Sequence, residues 1–295
     1  MRRLKSVAVI GVGLIGGSFA LALRRAGLAT SISGFDRDAG QLQRAIEMGV
    51  IDRAAESASD AARGAGLVMV AVPVRAIGPV LHDVALALEP DAVVTDAGST
   101  KAEVVRLARS ELRERFPRFV PGHPIAGRET SGVESATAEL FRGARVVLTP
   151  VAETAAPALA LVRSAWEGAG ARVAIAAAEH HDRVFAAVSH LPHILSFALV
   201  SDIASRSDAA ELLEFAGGGF RDFTRIAASS PEMWRDIAMQ NREALLAELD
   251  RFGARLAVFR ELIDKGEGAG LERLMAEARA ARQALAPPTR RVPGE

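Results

Sequence analysis

Gly11-Val12-Gly13-Leu14-Ile15-Gly16 follows the apolar run at residues 7–10 directly and leads into an alanine-rich segment. Glycines at this spacing permit a tight turn after a strand, a close approach of the backbone to a bound pyrophosphate, and close packing of the next helix. The stretch therefore predicts a strand, a glycine turn and a helix whose N-terminus holds a phosphate group. Such a unit begins a parallel sheet wrapped by helices.

Working outward, apolar runs rich in β-branched residues alternate with helical patterns up to about residue 175. We predict strands at 7–10, 31–35, 67–72, 92–95, 145–148 and 172–175, separated by helices at 14–26, 39–48, 76–88, 100–115 and 157–168. Beyond residue 176 the pattern becomes helical, with segments at 179–205, 209–215, 231–264 and 271–284. The predicted fold is α/β, with a Rossmann-type nucleotide-binding domain and a second, all-helical domain.

The change of pattern sets the predicted domain boundaries. Residues 1–175 form the dinucleotide-binding domain, residues 176–288 form a helical domain for substrate binding and dimerisation, and residues 289–295 form a tail. The apolar stripes of the helices exceed what a domain of this size buries internally, which favours a homodimer.

The cofactor preference depends on the end of the second predicted strand. Asp36 lies there, where a carboxylate accepts hydrogen bonds from the ribose hydroxyls and repels a 2′-phosphate, which favours NAD. Arg37 beside it could pair with that phosphate, so NADP stays possible. The predicted cofactor-binding residues are Gly11, Gly13, Leu14, Ile15, Gly16, Asp36, Arg37, Val72 and Pro73, the last two at the end of a central strand.

Composition narrows the function classes. Lysine plus arginine and aspartate plus glutamate both total 36, so the charge balance predicts no polyanion-binding surface and no nucleic-acid partner. Zero cysteines exclude disulfides, thiolate metal sites and cysteine nucleophiles. We find no uninterrupted apolar run near the roughly 20 residues that span a bilayer. We therefore expect a cytoplasmic enzyme with a small-molecule substrate and no membrane partner.

Two polar clusters interrupt the apolar first half, at residues 96–101 and 122–127. Both follow predicted strands and are expected at the carboxyl edge of the sheet, where ligands bind in such folds. His123 lies in what we predict to be a loop flanked by glycine and proline. Because imidazole titrates near neutrality, His123 is a candidate acceptor for the proton of a substrate hydroxyl.

Five segments together resemble the prephenate/arogenate dehydrogenase family and span nearly the whole chain in the expected order. They are the opening Gly11-Val12-Gly13-Leu14-Ile15-Gly16-Gly17-Ser18, residues 96–101, Gly122-His123-Pro124 with Ala126-Gly127, Ser189-His190-Leu191-Pro192-His193, and residues 217–227.

The resemblance implies NAD-dependent oxidative decarboxylation of prephenate to 4-hydroxyphenylpyruvate in tyrosine biosynthesis. It implies that His123 accepts the ring hydroxyl proton while the hydride leaves the same carbon for the nicotinamide, and that Ser99 bonds both that hydroxyl and His123. It further implies that Arg225 clamps the ring carboxylate and that His190 faces the substrate side chain. Arg221 replaces a lysine of many relatives, and its role stays open.

Several alternatives remain at this point. Arogenate, or both acids as in a cyclohexadienyl dehydrogenase, would be read identically at the ring end. A β-hydroxyacid dehydrogenase would need a lysine between residues 179 and 205, and there is none. A nucleotide-sensing module would bind the cofactor without needing His123 and Arg225 together.

A metal site is the last alternative, because His190 and His193 lie three residues apart and His180-His181-Asp182 precedes them. Pro192 disturbs a regular helix between the first two, and hydride transfer to a nicotinamide needs no metal. We predict no metal, and we interpret His180-His181-Asp182 as the solvated start of a helix. Trp234 and Phe223 are expected to wall the substrate pocket.

Overall fold

The computed structural model describes residues 4–127 and 130–285, so the predicted tail at 289–295 and the last residues of the predicted helical domain lie outside the described residues. The chain divides into two compact units, Met1–Asn241 and Arg242–Glu295. This division follows compactness, and the predicted boundary at residue 175 stays a prediction. The last strand ends at Ile175.

Nine strands and thirteen α-helices make up the described chain. The strands are β1 (Leu4–Ile10), β2 (Ala29–Phe35), β3 (Arg53–Ala54), β4 (Leu67–Val70), β5 (Val93–Asp96), β6 (Phe119–Val120), β7 (Gly122–Ile125), β8 (Arg145–Leu148) and β9 (Arg172–Ile175). The helices before β9 are α1 (Leu14–Arg25), α2 (Ala39–Glu47), α3 (Ala58–Ala62), α4 (Ile77–Ala85), α5 (Ala102–Leu112) and α6 (Ala156–Gly168). Those after it are α7 (Ala178–Phe185), α8 (Leu191–Ala204), α9 (Ala209–Glu214), α10 (Gly218–Thr224), α11 (Pro231–Gln240), α12 (Arg242–Asp264) and α13 (Gly268–Ala284).

The larger sheet is parallel and has the order β3-β2-β1-β4-β5-β6. This is the doubly wound order in which a dinucleotide binds where the winding reverses, between β1 and β4. The predicted α/β fold with helices in the second half is confirmed. The short elements β3, α3 and β6 were missed, because two to five residues carry too little periodicity to be recognised.

Alternate residues of the central strands supply two separate cores. Val7 and Val9 of β1 pack on one face of the sheet with Phe19 and Trp166, whereas Ala8 and Ile10 pack on the other. These four side chains of β1 are fully buried or nearly so. Burial of one such large apolar side chain contributes about 1.5–3 kcal/mol to folding. The two-sided burial explains why the strands read as continuous apolar runs.

A second, three-stranded sheet has the order β7-β8-β9, with β7 antiparallel to β8. The prediction that His123 lies in a loop is therefore wrong, since β7 runs from Gly122 to Ile125. Pro124 made this segment look like a loop, but proline is tolerated in an edge strand because its missing N–H is not needed on the open side.

Helix α7, the π-helical turn Ala186–His190 and helix α8 form one continuous helical stretch, Ala178–Ala204. This stretch of 27 residues is long and apolar enough to cross a membrane. Helices in the core of a soluble protein can have the same length and composition. His181, Asp182 and His190 are buried within it and bond to other parts of the first unit. The π-turn precedes Pro192, and such turns occur frequently at functional sites.

The predicted helix at 231–264 is divided at Asn241 into α11 and α12, which belong to different compact units. Asn241 leaves the helical conformation, and its side chain bonds to Asp182 and His190 instead. The second unit consists of α12 and α13, joined through Gly266 in the left-handed conformation (φ 66°).

Candidate active site

The glycine turn between β1 and α1 has the geometry that the sequence predicts. Gly11 has φ of 92°, and a Cβ there would lie 2.3 Å from the carbonyl oxygen of Ala71. A Cβ on Gly16 would lie 2.0 Å from the Gly11 carbonyl oxygen. A Cβ on Gly13 would meet no atom within 4 Å, so this glycine faces open space. Gly11 and Gly16 are thus needed by the fold itself, whereas Gly13 leaves room for a ligand.

The open space lies at the N-terminus of α1. Gly13 is the N-cap residue, and in the described chain no side chain caps it. Leu14 and Ile15 form the first turn, where N–H groups and the positive end of the helix dipole attract an anion. Val72 and Pro73 follow β4, the strand beside β1. These residues fit the pyrophosphate of a dinucleotide.

Asp36 follows β2 directly and is tied to the glycine turn. One carboxylate oxygen accepts a hydrogen bond from the N–H of Val12 at 2.9 Å, and the other accepts one from the N–H of Asp38 at 3.0 Å. The two bonds hold the carboxylate at the edge of the turn. Arg37 is exposed beside it, so its guanidinium is accessible to a ligand.

A buried ion pair connects the two polar clusters. Lys101 is fully buried, pairs with Asp96 at the end of β5, and donates to the carbonyl oxygen of Gly122 at 2.8 Å. Asp96 also accepts from the N–H groups of Gly98 and Gly122 at 2.7 and 3.0 Å. Burial lowers the pKa of Lys101, and the charge of Asp96 opposes that effect. The pair holds β7, and thus His123, beside the carboxyl end of β5.

His123 contacts a second histidine rather than the predicted serine. Its Nδ1 atom lies 2.8 Å from Nε2 of His181, and Phe185 packs edge-on against its ring at a centroid distance of 4.9 Å. Burial lowers the pKa of His123 well below its usual value, and the positive charge of Lys101 lowers it further. His123 is therefore a neutral imidazole near neutral pH. Ser99 is half-buried, and the bonds found among the described residues include none from Ser99 to His123.

Asp182 lies beside His181 and accepts from its Nδ1 atom at 2.8 Å. The same carboxylate accepts from the N–H groups of Lys101 and Ala102 at the start of α5, both at 2.8 Å. Burial raises the pKa of Asp182, but the hydrogen bonds from His181 and the two N–H groups outweigh it, and the net direction is down. His181 and Asp182 are 1% and 5% exposed. Our interpretation of His180-His181-Asp182 as solvated is correct for His180 alone.

His190 is buried next to this group. Its Nδ1 atom lies 3.0 Å from the Asn241 amide nitrogen, which also donates to the carbonyl oxygen of Asp182 at 2.8 Å. Burial lowers the pKa of His190 to about 4. A neutral, hydrogen-bonded histidine at this depth supports the packing of the π-turn against α11. Whether it also faces the substrate stays a prediction.

His193 and Arg225 form the more open end of the site. The ring of His193 stacks on Trp234 at a centroid distance of 3.6 Å, and its Nδ1 atom donates to the Ser189 carbonyl oxygen at 2.9 Å. Burial lowers the pKa of His193, and the charge of Arg225 also lowers it. Arg225 is exposed and begins the 3₁₀ turn Arg225–Ala228 that follows α10. A half-buried neutral histidine thus lies near an accessible guanidinium.

Three further expectations can be compared with the structure. Trp234 is buried against His190 and His193, whereas Phe223 is 49% exposed. Arg221 donates to the carbonyl oxygen of Ala216 at 3.2 Å, at the junction of α9 and α10. Over residues 4–127 and 130–285, no group of three or more potential metal ligands is found.

Sequence reasoning missed the contribution of His181, Asp182, His193 and Asn241. Each lies in the helical second half, and their partners are 51 to 81 residues away or on another helix. One signal was available in the sequence: the His181-Asp182 pair follows the last strand closely, and residues in that place lie near the carboxyl end of the sheet. The helical periodicity of the segment alone does not tell which side of the helix faces inward.

Comparison with known proteins gives the same family over both halves of the chain. Residues 19–175 match the family model described as prephenate dehydrogenase, nucleotide-binding domain, and residues 177–277 match the model described as prephenate dehydrogenase, dimerization domain. A cyclohexadienyl dehydrogenase of Zymomonas mobilis is 38% identical over 283 residues, which cover 95% of this chain and 96% of that protein.

Solved structures agree. A prephenate dehydrogenase of A. aeolicus, in complex with hydroxyphenyl propionate and NAD+, superposes with a TM-score of 0.90 at 38% identity, covering 96% of this chain and 98% of that one. An arogenate dehydrogenase of Synechocystis superposes with a TM-score of 0.80 at 31% identity, covering 94% of this chain and 99% of that one.

Proposed function

Because the chain belongs to the prephenate dehydrogenase family, we propose that it catalyses the NAD-dependent oxidative decarboxylation of prephenate to 4-hydroxyphenylpyruvate. The observation that most supports this reaction is the half-buried, neutral His123 held beside the carboxyl end of β5, in the domain that carries the glycine turn. A neutral imidazole in that place is a base for a hydroxyl proton.

The cofactor-binding residues are those of the glycine turn and its surroundings. Gly11, Gly13, Leu14, Ile15 and Gly16 receive the pyrophosphate at the N-terminus of α1. Asp36 binds the ribose hydroxyls of the adenosine half, while Arg37 leaves NADP possible, and Val72 and Pro73 border the cofactor. NAD, when bound, supplies the acceptor for the hydride that the substrate loses.

The residues of the chain supply proton transfer and substrate orientation. His123 takes the proton of the ring hydroxyl at its Nε2 atom, since Nδ1 is engaged by His181. Ser99 is half-buried and lies between Asp96 and Lys101 in the sequence. It forms a hydrogen bond with the same hydroxyl. Arg225 binds a substrate carboxylate through its planar guanidinium. Loss of the ring carboxylate as carbon dioxide then leaves an aromatic ring.

The position of His193 modifies the predicted role of His190. His190 is 1% exposed and bonded to Asn241, whereas His193 is half-buried and near enough to Arg225 for the arginine charge to lower its pKa. We therefore assign contact with the substrate to His193 together with Arg225. To His190 we assign a supporting contact on the buried side of this site.

Arogenate, or both acids, is the alternative substrate. The cyclohexadienyl dehydrogenase of Zymomonas mobilis and the arogenate dehydrogenase of Synechocystis favour it at 38% and 31% identity. Prephenate and arogenate differ only in a keto or amino group on the side chain, so the roles of His123 and Ser99 are the same for both.

The assembly is a homodimer, supported by the match of residues 177–277 to the dimerization-domain model. The exposed apolar side chains of the helical half, such as Val188 and Phe215, agree with this. The same matches, to either side of residue 176, support the predicted domain boundary. We place the enzyme in the cytoplasm because both family models that match the chain are those of a dehydrogenase with a nucleotide-binding and a dimerization domain; recovery in the membrane fraction of a lysate contradicts this.

The test is the growth of NADH absorbance with purified protein, NAD and either prephenate or arogenate, repeated with NADP. NADH formation from prephenate supports the proposal, and faster formation from arogenate supports the alternative. If the protein binds NAD but oxidises neither acid, the proposed reaction is wrong. The His123→Asn variant is the control for a contaminating dehydrogenase.

A further inference from the structure

Asp182, His181 and His123 form a linear series of hydrogen bonds from the start of α5 to the base. The Asp182 carboxylate lies 2.8 Å from Nδ1 of His181, and Nε2 of His181 lies 2.8 Å from Nδ1 of His123. Asp182 and His181 come from α7, and His123 comes from the edge strand β7. The two α7 residues have no part in the reaction described above.

The direction of the hydrogen bonds in this series follows from its first member. Asp182 accepts from the N–H groups of Lys101 and Ala102, and an ionised carboxylate is a hydrogen-bond acceptor only. It is ionised because these bonds and that from His181 lower its pKa against the effect of burial. The Nδ1 atom of His181 must therefore carry a proton and donate it to Asp182.

The direction of the hydrogen bond between His181 and His123 follows from the protonation of His181. Burial lowers the pKa of His181, so the ring is neutral near pH 7 and its Nε2 atom carries a lone pair. The contact with His123 then requires Nδ1 of His123 to donate. Because a neutral imidazole has one N–H, the Nε2 atom of His123 is left without a proton.

We propose that His181 and Asp182 are positioning residues that hold His123 in the tautomer whose Nε2 atom is free to accept the substrate proton. The inference deepens the proposed function and rests on it for the role of His123. Neither residue touches the reacting atoms. Their effect is to select one of two tautomers and to fix the orientation of the ring.

The series also acts after proton transfer. When Nε2 of His123 gains a proton, the ring becomes a cation whose Nδ1–H still donates to a neutral His181, and the negative charge of Asp182 lies one ring away. Lys101, whose charge lowers the pKa of His123, opposes this stabilisation, and its own partner Asp96 offsets part of that effect. The arrangement favours a base that is neutral at rest and tolerates a transient positive charge.

Nitrogen NMR of the histidines tests the tautomer without any need for turnover. The chain has six histidines, and the signals of His123 are assigned by their loss in the His123→Asn variant. We expect two-bond proton–nitrogen correlations at neutral pH to show Nδ1–H and a bare Nε2 for both His123 and His181. A proton on Nε2 of His123 in the wild-type protein overturns the proposal.

Kinetics of a matched set of variants test the consequence. His181→Leu removes the acceptor, and we expect kcat to fall about 10²-fold while KM and the Kd for NAD change less than about twofold. His181→Gln offers an amide oxygen to Nδ1 of His123 and should recover at least a tenth of the wild-type kcat. His180→Leu, the same change on the exposed neighbour, should leave kcat unchanged.

The two proposals fail in different ways. If wild-type protein oxidises neither prephenate nor arogenate, the proposed function is wrong, and the NMR measurement still decides the tautomer. If the enzyme is active and His181→Leu retains the wild-type kcat, the positioning role is wrong. Equal losses in His181→Leu and His181→Gln with an unchanged tautomer of His123 show that His181 only supports packing, which also overturns the proposal.

Discussion

The Nδ1 atom of His123 lies 2.8 Å from Nε2 of His181, although 58 residues separate the two along the chain. The first belongs to the edge strand of the small sheet and the second to the helix that follows its last strand. The buried Lys101–Asp96 pair holds the strand, and Asp182 holds the helix against the start of α5.

Replacing His123 by Asn should lower kcat by a factor of roughly 10² to 10⁴, because the acceptor for the hydroxyl proton is lost. The Kd for NAD, measured by calorimetry, should stay near that of the wild type, since the glycine turn is untouched. A variant with undiminished turnover would remove His123 from the mechanism.

Replacing Arg225 by Ala should raise KM about 10- to 100-fold and lower kcat far less, because a charge-assisted contact to a substrate carboxylate is lost. Arg225→Lys should recover only part of the KM, since an ammonium group lacks the bidentate geometry. Arg206→Ala, an exposed arginine paired with Asp202, is the control and should behave like wild type. Equal losses of kcat and kcat/KM would instead mean that Arg225 acts on the transition state.

Gly13 and Gly16 should respond differently to alanine. Gly13 has an extended backbone, and its Cβ would meet no atom, so Gly13→Ala should fold with a wild-type Tm and bind NAD at least about tenfold more weakly. Gly16→Ala places a Cβ 2.0 Å from the Gly11 carbonyl oxygen and should lower the free energy of unfolding by about 1–3 kcal/mol. Thermal unfolding and NAD titration of both variants check this, and wild-type NAD affinity in Gly13→Ala would contradict it.

His190 should make stability depend on pH. Its pKa of about 4 in the folded protein lies below the ordinary 6.5, so between these values the unfolded chain binds one more proton than the folded one. The contribution is fully present above pH 6.5 and is lost as the pH falls towards 4, at a cost of up to about 3 kcal/mol.

Urea unfolding at several pH values between 7 and 4 measures this effect. His190→Gln keeps an acceptor for Asn241 but does not titrate, so its free energy of unfolding should fall less steeply with acid. The other buried histidines are present in both proteins, and the difference between the two curves therefore isolates His190. Parallel curves would show that His190 keeps an ordinary pKa.

Replacing Lys101 alone should lower the free energy of unfolding more than replacing both Lys101 and Asp96. Lys101→Met leaves the carboxylate of Asp96 buried with only two N–H donors, and we expect a loss of about 3–5 kcal/mol in the free energy of unfolding. Adding Asp96→Asn should restore part of it, because no uncompensated charge remains. Strictly additive losses in the double variant would argue against coupling of the two residues.

Much of the fold could be predicted because its signals are local. The strands β8 and β9 were predicted at the residues where they occur, because each is a run rich in β-branched residues that is too short for a helix. The glycine turn was predicted because its glycine spacing is read along the chain, although the atom that excludes a side chain at Gly11 is the carbonyl oxygen of Ala71, 60 residues away. The break at Asn241 was not predicted, because asparagine within a helical pattern gives no local reason for helix α11 to end there.

The sequence by itself determined the doubly wound sheet, the cofactor turn and the family, since strand periodicity, glycine spacing and motif order are all read along the chain. Tertiary structure alone decided which histidine supports the base. Contacts between β7, α5 and α7 join residues 58 to 81 positions apart. Helical periodicity places His181 on one face of α7 but does not say what that face meets. Only packing against Lys101 and β7 buries His181 and Asp182, and burial turns an ordinary surface pair into a hydrogen-bonded support for His123.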